Sequence, residues 1–166
     1  QLRLPTERYY EEEGRAELTP RDFGILMHRV FENAATTDEI YTAIEAMTQD
    51  GVLDEKEAPR LRELVEKALA DPVTAEWFGG RWQVVRNENE IILPGSGTTR
   101  RPDRVMTDGE RAVVVDYKFG DRETARHRKQ IREYLRLLRQ MGYTRTEGYL
   151  WYVRLGRTER VEEKED

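Results

Sequence analysis

Two aspartates and a lysine near the end of an apolar strand are the residues of this chain best suited to chemistry. Residues 101–120 read Arg-Pro-Asp-Arg-Val-Met-Thr-Asp-Gly-Glu-Arg-Ala-Val-Val-Val-Asp-Tyr-Lys-Phe-Gly. The pattern predicts a β-hairpin with arms at 101–106 and 112–118. Asp108-Gly109 is the turn signal between them, since both loop positions favour φ > 0. A two-residue loop there pairs Thr107 with Glu110 and sets Val105 opposite Ala112 and Asp103 opposite Val114. Strand alternation then puts Val114, Asp116 and Lys118 on one face and turns Val113, Val115 and Tyr117 towards a core. Asp103 falls on the Asp116 face as a diagonal neighbour, roughly 7–8 Å away. Two carboxylates so placed can converge on one cation, with an ammonium a step further on. Charges closing a buried strand are costly unless paired or bound to an ion. The alternative is therefore a surface salt bridge at a strand end. A bulge at Pro102 would turn Asp103 to the other face.

These residues sit in a chain of 166, enough for one domain with its own core. Charged and hydrophobic residues are 37% each, so the surface is heavily charged without a disordered composition. A net charge of −5 does not announce nucleic-acid binding. The absence of cysteine excludes disulfides, thiolate-bound zinc, iron–sulfur clusters and a thiol nucleophile. No apolar run approaches a membrane span and no signal peptide is visible, so the cytoplasm is the expected location. The first residue is Gln1 rather than Met, as in a fragment of a longer chain. Charge is uneven: residues 100–139 hold 12 Lys/Arg against 7 Asp/Glu. Seven of those basic residues lie on one predicted helix. Such asymmetry can steer an anionic ligand, although a solvated helix face explains it equally well.

The elements that position the hairpin follow from periodicity and caps. Residues 1–19 are polar, with a Glu11-Glu12-Glu13 run, and read as a linker or arm. Thr19 and Pro20 open a helix with Phe23, Met27, Val30, Phe31 and Ala34 inward. His28 lies beside that stripe, and Gly24, one turn earlier, suggests close approach of another segment. Thr37 is expected to cap a helix at 38–48. A third helix is predicted at 55–70, and Asp71-Pro72 starts a short fourth. At Arg81 the character changes. Residues 82–86 and 91–93 read as short strands around a polar 87–90 turn. After the hairpin comes a helix at 122–141, then a β-prone run at 148–155 expected to be the last strand. A helix joining two strands is a crossover, so those strands should be parallel. The chain therefore reads as one domain over 20–156, helical to 80 and sheet-based from 81, followed by a charged tail at 157–166. On the crossover helix, Gln130 and Tyr134 are four apart and share a face, with Arg126 and His127 one turn earlier and Lys129 among the basic residues around them.

The ordered set His28, Asp103, Asp116-Tyr117-Lys118 and Gln130-x-x-x-Tyr134 resembles the RecB-type branch of the PD-(D/E)XK nucleases. The closest likeness is to the C-terminal nuclease domain of bacterial UvrD/RecB/AddA-like helicase–nucleases, over 23–153. The resemblance implies an α/β, restriction-endonuclease-like fold: a central mixed sheet flanked by helices, with a helical N-terminal half. It implies DNA hydrolysis with Mg2+ or Mn2+, in double-strand-break repair or recombination, next to a parent helicase domain or subunit. By position, His28, Asp103, Asp116 and the Tyr117 carbonyl match the metal ligands. Asp103, Asp116 and Lys118 match the catalytic set. Gln130 and Tyr134 match the helix motif that orders the site and touches DNA, with Arg126 and Lys129 beside them. Glu90 is the nearest candidate for an upstream acid found in some relatives. The cysteines that hold an iron–sulfur cluster in AddB-like relatives are absent, which favours the AddA-like side. Two other functions remain open: a silent DNA-end-binding module of the same fold, and an interaction domain whose acids form salt bridges.

Overall fold

A capping box starts the first helix where Thr19 and Pro20 predict it. The Thr19 side chain accepts from Asp22 N at 3.2 Å, and the Asp22 carboxylate accepts from Thr19 N at 2.9 Å, within one helical turn. The computed structural model describes residues 18–87, 91–92, 99–100, 102–119 and 125–164. The helices of the N-terminal half are α1 (Pro20–Glu32), α2 (Thr37–Gln49), α3 (Ala58–Ala68) and α4 (Pro72–Trp77). Thr36, not Thr37, caps α2, and α3 begins at Ala58 rather than at 55.

The strands are β1 (Val84–Asn87), β2 (Ile91–Ile92), β3 (Thr99–Arg100), β4 (Arg104–Asp108) and β5 (Arg111–Lys118), then α5 (Ala125–Gln140), β6 (Arg145–Tyr152) and β7 (Arg157–Val161). Five of them form a mixed sheet in the order β1-β4-β5-β6-β7, and β2 pairs separately with β3. The β5–β6 pair is parallel and the other three pairs are antiparallel, so α5 is the expected crossover. Among the described residues β1 and β2 do not pair with each other, because β1 joins β4 and β2 joins β3. The run expected as the last strand is β6, shifted to an earlier start. A further strand, β7, occupies residues that read as the beginning of a charged tail.

The sheet is covered on both faces. Met106, Val113, Val115, Tyr117 and Trp151 pack with the apolar stripes of α1 to α4. Val105, Ala112, Val114, Leu150 and Tyr152 pack under α5 through Ile131, Tyr134, Leu135 and Leu138. Continuous burial of residues 112–117 is what the unbroken Val113-Val114-Val115 run requires. Trp151, fully buried, stacks on Phe31 with ring centroids 5.1 Å apart and meets Trp77 and Tyr117 edge-on. The opposite face depends on Gly148. A Cβ there would lie 2.4 Å from Ile131 Cγ2 and 3.2 Å from Leu135. Gly148→Ala therefore forces α5 off β6. The expected cost is about 1–3 kcal/mol of overpacking, to be read as a lowered melting temperature; an unchanged one would refute the tight contact.

The hairpin register is corrected by two residues. Val105 stands opposite Val114, not Ala112, and Asp108 opposite Arg111. Gly109 and Glu110 form the loop, with Gly109 at φ 58° in its first position. The glycine is needed where the left-handed conformation begins, so Asp108 stays in the ladder. A two-residue shift leaves every side chain on its face, whereas a one-residue shift would have reversed them. Continued past Arg104↔Val115, the register brings Asp103 opposite Asp116 instead of diagonal to it.

Candidate active site

The β4–β5 ladder ends at Arg104↔Val115, and side chains take over from the backbone beyond it. Pro102, which has no N–H, precedes Asp103 at the bend before β4. Asp103 N–H donates to Asp116 Oδ1 at 3.1 Å, and Tyr117 N–H donates to Asp103 Oδ2 at 2.7 Å. Each aspartate thus caps the strand of the other. The expected pairing of the two acids holds, although the Tyr117 group engaged here is its amide rather than its carbonyl.

The first helix delivers the imidazole. His28 Nε2 lies 3.2 Å from Asp103 Oδ1, and its Nδ1 lies 3.4 Å from Glu32 Oε2. Glu32 thus stands behind the ring at ion-pair distance, on the side away from Asp103, where a carboxylate commonly backs a histidine that uses its other nitrogen. Sequence reasoning passed over Glu32, yet its i+4 spacing from His28 is a readable signal. The ring is also flanked by Tyr117 and Phe119, each 6.0 Å away at a steep angle. Phe119 reaches it because α1 has no side chain at Gly24, where a Cβ would stand 3.0 Å from Phe119 Cβ. The close approach expected at Gly24 is therefore to the residue that follows Lys118.

Asp116 is 5% exposed, whereas the Asp103 side chain retains 20%. Burial pushes the Asp116 carboxyl up to about 6, and the neighbouring charge of Asp103 adds to the rise. Lys118, the Asp103 N–H and His28 act in the opposite direction. Lys118 is close enough for its charge to act on Asp116, but its ammonium forms no ion pair among the described residues.

The crossover helix faces the same end of β5. His127 lies in the field of Lys118, and burial together with Lys118, Arg126 and Arg128 pushes its imidazole down. Tyr134, 4% exposed, belongs to the core beneath α5. Gln130 is half-buried and makes no hydrogen bond to Asp116 or Lys118 among the described residues. Arg126 and Lys129 are exposed on one face of α5. Several arginines of the basic region are engaged internally, among them Arg111 with Glu76 and Glu147, Arg128 with Glu159, and Arg139 with Glu163. Glu90 lies outside the described residues.

A family model described as the PD-(D/E)XK nuclease superfamily matches residues 1–166. The chain belongs to that superfamily. No curated protein matches the chain. Membership makes it a nuclease domain in general terms, of a group that acts on DNA and commonly uses divalent metals. Among the described residues, no helix is long and apolar enough to cross a membrane.

Whether the nuclease's own residues suit a divalent cation can be tested on its donors. Among the described residues, no group of three His, Asp or Glu side chains is placed to hold a metal as it stands. The donor types nevertheless fit. Two carboxylates and an imidazole follow one another, and the buried Asp116 has no cationic side chain paired to it among the described residues. Each hydrogen bond described above occupies one acceptor site on an oxygen that offers about two, so capacity remains. His28→Ala should accordingly weaken Mn2+ binding more than folding, because the ring is 22% exposed and adjoins the core rather than filling it. A large drop in metal-free melting temperature with an unchanged Mn2+ titration would make His28 a structural residue.

Proposed function

We propose that this domain is the nuclease module of a RecB/AddA-like helicase–nuclease, hydrolysing DNA phosphodiester bonds with Mg2+ or Mn2+ in cytoplasmic double-strand-break repair or recombination. Asp103 and Asp116 would hold the cation, with His28 and the Tyr117 carbonyl as further donors. Oxygen and imidazole donors suit these ions. Bound there, the ion would supply an acidified water and offset charge on the phosphate. Lys118 orients that water or stabilises charge as the bond breaks. Tyr134 and Gln130 order the helix behind the site, and the exposed Arg126 and Lys129 hold backbone phosphates, which positions DNA without reading its sequence. A parent helicase domain or subunit would deliver the strand.

The observation that carries this reading is the buried carboxylate of Asp116 beside Asp103 and His28, within the field of the Lys118 ammonium. The test is cleavage of linear DNA by the purified domain with Mg2+, Mn2+, Ca2+ or excess chelator. Mg2+ and Mn2+ should support turnover. Ca2+ should bind yet support it poorly, since it accepts longer and looser coordination. Equal turnover with Ca2+, or activity in chelator, overturns the mechanism. DNA binding without cleavage under any metal identifies a silent end-binding module instead.

A further inference from the structure

Arg104 is the first residue of β4 and follows Asp103 directly, yet its side chain is 0% exposed. Among the described residues its guanidinium makes four hydrogen bonds, none of them to a carboxylate. Nη1 donates to Ala34 O at 2.7 Å and Asn87 Oδ1 at 3.1 Å, and Nη2 donates to Ala35 O at 2.8 Å and Trp77 O at 2.6 Å. The Phe78 ring lies 3.9 Å from the guanidinium carbon. Ala34 and Ala35 follow the end of α1, and Trp77 is the last residue of α4. A cation is thus held by carbonyls of the α1–α2 connection and of the C-terminal end of α4. Only the planar, five-donor fork of arginine can reach such a set at once.

A buried charge is an expensive way to join two elements, and an apolar side chain often serves as well. The location explains its use. Backbone pairing between β4 and β5 stops at Arg104, so the ladder does not fix Asp103. Asp103 must nevertheless meet His28 from α1 and the amide of Tyr117 on β5. Helix α1 and the connection that follows it are therefore joined to adjacent residues of one chain segment: His28 to Asp103, and Ala34 and Ala35 to Arg104. A carboxylate partner for Arg104 would place a third acid close to a pair that already repels. Carbonyl acceptors avoid that.

From this geometry we propose that Arg104 is a positioning residue, which sets where Asp103 stands relative to α1 and β5. The inference rests on the nuclease reading for its effect on rate, but not for its effect on geometry. Arg104→Lys keeps the charge and loses the fork; Arg104→Ala leaves a guanidinium-sized space. In the folded fraction of Arg104→Lys, cleavage with Mn2+ should fall on the order of 10²-fold, the cost of a small misplacement of a reacting group, with KM for DNA unchanged. Dilute guanidinium, well below denaturing levels, should restore part of the rate of Arg104→Ala and none of that of Asp103→Ala. Amide NMR gives a readout independent of activity and metal. The Tyr117 and Asp103 amides should shift and lose exchange protection in Arg104→Lys, while the β5–β6 amides of Leu150 and Trp151 keep theirs. If Arg104 only fastens the fold, protection falls evenly with stability, turnover per folded molecule is unchanged and guanidinium has no effect, which overturns the proposal. If the wild-type protein does not cleave with Mn2+, the nuclease reading fails, and the amide comparison still decides the role of Arg104.

Discussion

Lys118→Ala lowers the rate of DNA hydrolysis on the order of 10²–10⁴-fold, the span of one positioned acid–base or electrostatic group, while metal and DNA binding stay close to wild type. The expectation follows from where the lysine stands. It ends β5 two residues after Asp116, acts on that carboxylate through its charge and forms no ion pair among the described residues. A lysine serving mainly as a counter-ion would be closed onto Asp103 or Asp116. Its removal would then weaken the fold, most visibly at neutral and alkaline pH where both acids are charged. On the proposed reading a bound cation would offset the same charges. Added Mg2+ should therefore restore any lost stability of Lys118→Ala but not its rate. The experiment is a melting curve and a cleavage rate on the same variant, each with and without Mg2+. Wild-type turnover by the variant would remove Lys118 from the mechanism.

Why the grouping around Lys118 could be read from the sequence, when the hairpin register could not, is a matter of period. Side chains alternate every two residues, so an error of two in the loop leaves Asp103 and Asp116 on the same face. Helix α1 was legible for another local reason, since Thr19, Pro20 and Asp22 form its start within one turn. The parallel β5–β6 pair followed from a helix lying between two apolar runs. What escaped depends on contacts distant in the chain. Arg104 reads as one more surface arginine in Arg-Pro-Asp-Arg, because its acceptors at Ala34, Ala35 and Trp77 arrive only through folding. Strand β7, Arg-Thr-Glu-Arg-Val, looks like a charged tail because an edge strand carries charges that discourage further pairing. The partnership of β1 with β4 was hidden by the nearer polar turn at 87–90.

Asp116→Asn should abolish cleavage and, at neutral pH without metal, make the protein more stable. Both effects come from burial. The carboxyl has an ordinary value of 3.8 and is raised to about 6 in the fold, so its charged form is disfavoured there. Below about pH 4 the group is protonated whether the chain is folded or not, and it contributes no penalty. Between about 4 and 6 the unfolded chain releases the proton first, and stability falls as pH rises. Above about 6 the penalty is complete, roughly 3 kcal/mol for a shift of about two units. Asparagine carries no such charge and can still accept from Asp103 N–H. The wild-type melting temperature should thus drop relative to the variant between pH 4.5 and 7.5, and Mg2+ or Mn2+ should close the gap at pH 7.5 by binding only the ionised aspartate. Parallel pH profiles for the two proteins would show that Asp116 is not held at a raised value. Cleavage by Asp116→Asn would show that it is not a ligand the reaction needs. A site that gives up stability to bury a carboxylate should improve in stability when the charge is removed.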